Sequence, residues 1–129
     1  EHVIGEEVDY AIQQACTQLN IEVNEYHVSP QVTPPEGGIA YHEWFVEFSK
    51  QRRDMAVFAK AIDDLLQQKN SYYKDLRDGD MLSVLKITPM QENAFNEYMK
   101  SIGKLGGQNK LPRLANDRKI ADELSPFKI

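Results

Sequence analysis

A single cysteine, three histidines and no long apolar run leave several architectures out. One cysteine cannot build an internal disulfide framework. Cys16 and the histidines show no CxxC, HExxH or comparable spacing, so no structural zinc site is expected. No stretch approaches the ~20 apolar residues of a membrane span, and no signal-peptide pattern opens the chain. A GxxxxGK(S/T) phosphate loop is missing, and no internal repeat is apparent.

What is present is the material of an ordinary globule. With 129 residues, 41 % hydrophobic and 27 % charged, the chain has room for one core, against a prior of ~150 residues per domain. The chain opens on Glu1 rather than Met and is expected to be a trimmed or excised piece of a longer protein. Its charge is uneven. Residues 1–99 carry 8 Lys/Arg against 17 Asp/Glu, a net of −9, and residues 100–129 carry 7 against 3, a net of +4. An acidic body with a basic tail implies a localised anion site. A nucleic-acid binder needs a broad basic face, which this body lacks. The mildly acidic balance and the free thiol point to the cytoplasm.

Hydrophobic periodicity predicts a helix over 6–19, capped by Gly5, with Val8, Ile12, Ala15, Cys16 and Leu19 on one stripe and Asn20 ending it. Cys16 on that stripe reads as a small buried hydrophobe. Residues 21–32 (IEVNEYHVSPQV) read as a strand in which Pro30 marks a break, bulge or edge. The turn-rich TPPEGG leads to the strongest strand signal, IAYHEWFVEF at 39–48. His42, Trp44, Val46 and Phe48 share one of its faces, and Tyr41, Glu43, Phe45 and Glu47 the other. The short link predicts an antiparallel hairpin that could bring His27 near His42, although two ordinary strand residues are the leading reading and a functional pair the lesser one.

Arg52 and Arg53 read as a solvated loop end before an amphipathic helix over 54–69. Helix continues over 71–78 to Gly79. The alternation MLSVLKI predicts a third strand at 81–87, which Thr88 and Pro89 stop before a helix buried through Phe95, Tyr98, Met99 and Ile102. The order α-β-β-α-β-α, plus a C-terminal loop and short helix, predicts an α+β fold. We expect a small two-layer sandwich, with a mixed β-sheet of three or more strands packed by helices.

The chemistry concentrates in residues 100–119, KSIGKLGGQNKLPRLANDRK. Gly103, Gly106 and Gly107 let backbone approach a ligand and present its N–H groups. Lys104, Lys110, Arg113, Arg118 and Lys119 are interleaved with them, and Gln108 and Asn109 add neutral donors. Such a set suits the stabilisation of negative charge in phosphate or adenylate chemistry. A solvated, glycine-loosened loop is the bland alternative.

YHEWFVEF at 41–48 and GKLGGQNKLPRLANDRK at 103–119, with the helix–strand order between them, give the chain a family likeness. It resembles the C-terminal domain of the Gretchen Hagen auxin-responsive-promoter family of acyl acid amido synthetases, on its bacterial branch. Plant members carry a late motif similar to Gln-Tyr-Lys, one variable residue, then Pro-Arg. Gln108, Lys110, Pro112 and Arg113 match it, while Asn109 replaces the aromatic residue and the glycine-rich lead-in differs.

The resemblance implies an adenylate-forming ligase that uses ATP and Mg2+ to activate a carboxylic acid. An amine, typically of an amino acid, then attacks to give an amide and AMP. It also implies that residues 1–129 are a mobile lid on an N-terminal adenylation domain, with no nucleotide or metal held tightly by the lid itself. Lys110 is the first candidate for the adenylation lysine and Lys104 the second. Gly106, Gly107, Gln108, Asn109 and Arg113 are candidates for substrate or phosphate binding. For Arg113 a tie to an acidic partner such as Asp117 is an equal reading. Trp44 and His42 read as packing. The expected partners are the adenylation domain and the acid and amine substrates, with no nucleic acid and no membrane. The competing reading is a non-catalytic α+β interaction or regulatory module that dimerises through its sheet. A nucleotide-binding domain encoded upstream of Glu1 would distinguish the two.

Overall fold

The computed structural model describes residues 3–50, 54–104 and 110–129. Helix α1 (Gly5–Leu19) begins one residue earlier than its sequence pattern suggests, with Ile4 rather than Gly5 at the cap. The reason is a local bond. Glu7 sits where its carboxylate can reach back and accept the Ile4 N–H at 3.0 Å. Asn20 closes the helix in the left-handed region, at φ 56°.

Strand β1 (Val23–Gln31) and strand β2 (Tyr41–Phe48) form the antiparallel hairpin the sequence predicts. Gly37 (φ 84°) and Gly38 (φ 93°) supply the positive φ that their connection needs. Helices α2 (Met55–Lys69) and α3 (Ser71–Asp78) follow. Strand β3 (Lys86–Pro89) then pairs parallel to β2, giving a three-stranded mixed sheet in the order β1-β2-β3. Helix α4 (Ala94–Ser101), helix α5 (Lys119–Leu124) and a 3-10 turn (Ser125–Phe127) complete an α+β domain.

Two boundaries depart from the sequence pattern. The third strand is shorter and later than 81–87. The Met81 and Leu82 amides are spent on the Leu76 carbonyl at the end of α3, and Ser83 N–H donates to Ala40. Leu82 and Leu85 are nonetheless buried, so the apolar spacing there reports core packing rather than strand. Thr88 and Pro89 belong to β3 instead of ending it, because Thr88 lies opposite Phe45 and donates its hydroxyl to Glu43 at 2.5 Å. Ile102 lies just past α4 and is exposed, while Phe95, Tyr98 and Met99 are buried as expected.

All eight residues of β2 are buried, because both faces of the sheet are covered. Trp44, Val46 and Phe48 join Val8, Ala11 and Ile12 of α1 and Phe58, Ile62 and Leu66 of α2 in the larger core. Phe48 meets Phe58 edge to face at 5.6 Å, and Trp44 stacks on Tyr26 at 5.8 Å. On the opposite face Phe45 anchors a second cluster with Met90, Phe95, Tyr98, Met99 and Leu124. Among the described residues no helix is long and apolar enough to cross a membrane.

The register also separates two histidines. His27 lies opposite Phe45 and His42 opposite Pro30, so the two rings fall on opposite faces and form no pair.

Candidate functional site

Lys104 lies three residues past the end of α4. Gly103 turns the chain at φ 74°, and the Lys104 N–H donates to the Met99 carbonyl at 2.8 Å. Four of the expected ligand-binding residues, Gly106, Gly107, Gln108 and Asn109, lie outside the described residues, as do Arg52 and Arg53. Lys110 resumes the chain. Both Lys104 and Lys110 are exposed and form no ion pair among the described residues.

From Pro112 onward the segment is strapped along the outer edge of β1. A strand turns alternate N–H and C=O groups outward, and several of those of β1 are bonded here. Val28 N–H donates to the Arg113 carbonyl at 2.8 Å, and Ala115 N–H returns to the Val28 carbonyl at 2.9 Å. Tyr26 N–H is taken by the Glu25 carboxylate at 3.0 Å. Pro30 has no N–H to satisfy, and its carbonyl accepts from Arg118 at 3.4 Å. This is the edge position that a proline in a strand demands.

Side chains reinforce the strap. Arg113 donates from Nε to Glu25 at 2.8 Å, lies 3.4 Å from Asp9, and stacks over the Tyr26 ring at 5.0 Å. The Glu25 bond holds the guanidinium above its ordinary pKa. Its carboxylate partners are therefore Glu25 and Asp9 rather than Asp117, whose carboxylate accepts the Lys119 N–H. Beside Arg113 a cleft of about 290 Å3 opens, with Asp9, Ile12, Cys16 and Ile21 in its wall. Burial pushes the Cys16 thiol up, which favours its protonated form.

Arg118 continues inward to Glu43 at 2.9 Å. His27, fully buried, places Nδ1 2.6 Å from the Pro112 carbonyl oxygen and Nε2 2.6 Å from Ser29 Oγ. The structure thus assembles the late basic segment with His27, Ser29 and Glu43, none of which sequence reasoning assigned to it. Their only signal in the sequence is polar character inside otherwise apolar strands.

Among the described residues no group of three or more His, Cys, Asp or Glu side chains could hold a metal ion. What this part of the chain offers is cations: one lysine on each side of residues 105–109, neither in an ion pair among the described residues, and two arginines tying the segment down.

The solved structure of "GH3.15 acyl acid amido synthetase" resembles the chain with a TM-score of 0.75 at 16 % identity, over 95 % of this chain and 24 % of that one. "AtGH3.15 acyl acid amido synthetase in complex with 2,4-DB" gives 0.70 at 14 %, over 95 % and 23 %. The chain thus spans about a quarter of the length of these proteins, and at such identity the likeness is one of fold. No curated protein matches it. The model of the GH3 family C-terminal domain matches residues 6–119, most of the chain and nearly all of the strapped segment. By that match the chain belongs to the GH3 family, as its C-terminal domain.

Proposed function

We propose that this chain is the mobile C-terminal domain of an ATP-dependent ligase that activates a carboxylic acid as its acyl-adenylate and passes it to an amine or amino acid. The observation that carries this is the family match across residues 6–119, which contains the whole lysine-bearing segment. The names of the two similar solved structures, acyl acid amido synthetases both, agree with it.

The chemistry of the segment supports the same role. Adenylation joins a carboxylate to the α-phosphate of ATP and expels pyrophosphate, so negative charge gathers at the phosphates in the transition state. A cation delivered as the domain closes stabilises that charge and helps exclude water. Lys110 is exposed, free of ion pairs among the described residues, and two residues from the bonded carbonyl of Pro112. That is a suitable carrier: a flexible side chain on an anchored base. Lys104 is the second candidate. Magnesium would accompany the ATP on the N-terminal adenylation domain. Gly106, Gly107, Gln108 and Asn109 would contribute N–H and amide donors to the phosphates. Arg113, held by Glu25 and Asp9, supports the loop and reaches a phosphate only by exchanging those partners.

Acid-dependent pyrophosphate release by the full-length protein, followed in single turnover, tests the proposal. Lys110→Ala should slow it ~10²–10³-fold and leave ATP affinity nearly intact, since the lost contact belongs to the transition state. Loss through Lys104→Ala alone moves the role to Lys104. Wild-type rates in both make the loop structural and favour a non-catalytic module.

A further inference from the structure

Five buried polar residues, His27, Ser29, Glu43, Glu47 and Thr88, lie on one face of the sheet. Burying polar groups is unfavourable unless each is bonded, so their partners show what the face is for. Thr88 bonds to Glu43, and Glu47 accepts the Asn93 and Phe95 amides at the start of α4. Within the sheet Asn24 donates to Glu47, and Ser29 bonds His27. Two further links leave the sheet for the basic segment, Glu43 to Arg118 and His27 to Pro112. Directional bonds of this kind fix a position, whereas apolar contact alone tolerates sliding.

Of the two, His27 acts nearest Lys110. A carbonyl oxygen can only accept, so Nδ1 carries the proton in the bond to Pro112. The neutral ring then presents a lone pair at Nε2, which accepts the Ser29 hydroxyl proton. The Pro112 carbonyl thereby fixes the tautomer, and the Ser29 hydroxyl, able to donate or accept, complements it by donating. Pro112 itself has a locked φ and no N–H. Among the described residues its carbonyl is the first backbone group after Lys110 to be bonded, and Val28–Arg113 follows at once.

We propose that His27 is a positioning residue for the loop that carries Lys110, acting through its hydrogen bond to the Pro112 carbonyl, with the Ser29 hydroxyl bonded to Nε2 and holding the ring in place. This rests on the role given to Lys110 above. The imidazole does not touch the reacting atoms; it sets the base from which the lysine reaches them.

Two measurements test this, one of them independent of activity. His27→Phe fills the space and removes both bonds, while His27→Asn retains a donor near the Nδ1 position. Amide exchange on this chain reads the strap at Ala115, whose N–H bonds to Val28. Loss of one buried hydrogen bond should speed exchange there about tenfold in His27→Phe, with the amides of α2 unchanged. In the full-length protein, single-turnover pyrophosphate release should slow about tenfold at unchanged ATP affinity, and His27→Asn should recover most of both effects. If His27→Phe does not fold, Ser29→Ala supplies the same readings, with a smaller shift in the same direction.

Unchanged exchange at Ala115 overturns the proposal, because the histidine then only fills space. Faster exchange with an unchanged rate also overturns it, provided Lys110→Ala slows the enzyme. Should Lys110→Ala itself be harmless, the assignment of Lys110 has failed, and the exchange result alone decides whether His27 sets the loop.

Discussion

The Arg118 guanidinium lies 2.9 Å from the Glu43 carboxylate, whose side chain is only 5 % exposed at the centre of the sheet. The second Glu43 oxygen accepts from Thr88. The carboxylate is therefore buried with both oxygens bonded, and Arg118 is partly buried, which separates the pair from exposed ones such as Lys60–Asp64.

Removing Arg118 leaves a charge inside the domain without its partner. Arg118→Met should lower unfolding stability by about 3–5 kcal/mol, and Arg118→Met combined with Glu43→Gln should recover most of it. Urea denaturation at neutral pH measures both. Lys60→Ala, at an exposed pair, should leave the midpoint where it is.

Phe45 is wholly buried and is the only β2 residue in the second apolar cluster. Phe45→Ala should cost about 3–5 kcal/mol, as should Phe58→Ala in the larger core. The two should differ in where the chain opens first. Phe45→Ala should hasten tryptic cleavage after Arg118 and Lys119 well below the global midpoint, and Phe58→Ala should not.

Stability should also fall in mild acid on account of His27. Burial holds this imidazole below its ordinary value near 6.5, Arg118 lowers it further, and the Pro112 bond and Asp117 oppose the shift only in part. The unfolded chain therefore takes up the proton first as pH drops. Stability is full above about 6.5 and declines below it until the folded imidazole also titrates. Urea midpoints between pH 7.5 and pH 5 should show the decline, and His27→Phe should flatten its histidine component. An unchanged slope in the variant would mean that His27 is not the group responsible.

The chain alone should neither activate an acid nor bind ATP tightly. It has no phosphate loop in its sequence, and its described residues group no metal-binding carboxylates. Calorimetry should find affinity weaker than ~1 µM. Tighter binding would contradict the simple picture of a lid that meets its nucleotide on another domain.

Much of this architecture is legible in one sequence. The stripes of α1 and α2, the hairpin and the two faces of β2 follow from apolar periods near 3.6 and 2. The pattern misleads where two causes give one spacing: Leu82 and Leu85 are buried as a strand requires, yet the Met81 and Leu82 amides are bonded to Leu76 in α3. The basic, glycine-rich segment is legible as a candidate site because its composition is local. Its supports are not. His27 and Pro112 stand 85 residues apart in sequence, and only the register of β1 against β2 decides which histidine faces the segment. Composition carries no register, so the lesser reading of His27 and His42 as a pair has no counterpart in the fold, and the reading of two separate strand residues stands.

The outward groups of β1 matter beyond the site they border. A small sheet with bare edges is a template on which a second chain can add strands. Here the β1 edge is taken up by Arg113, Leu114 and Arg118. At the other end of the sheet, Gln91 and Pro89 exchange bonds with Phe127 and Ile129. Both guards come from the last seventeen residues. Lesions in that stretch should therefore reveal themselves as insolubility and edge-to-edge assembly, with α1, α2 and the larger core still intact.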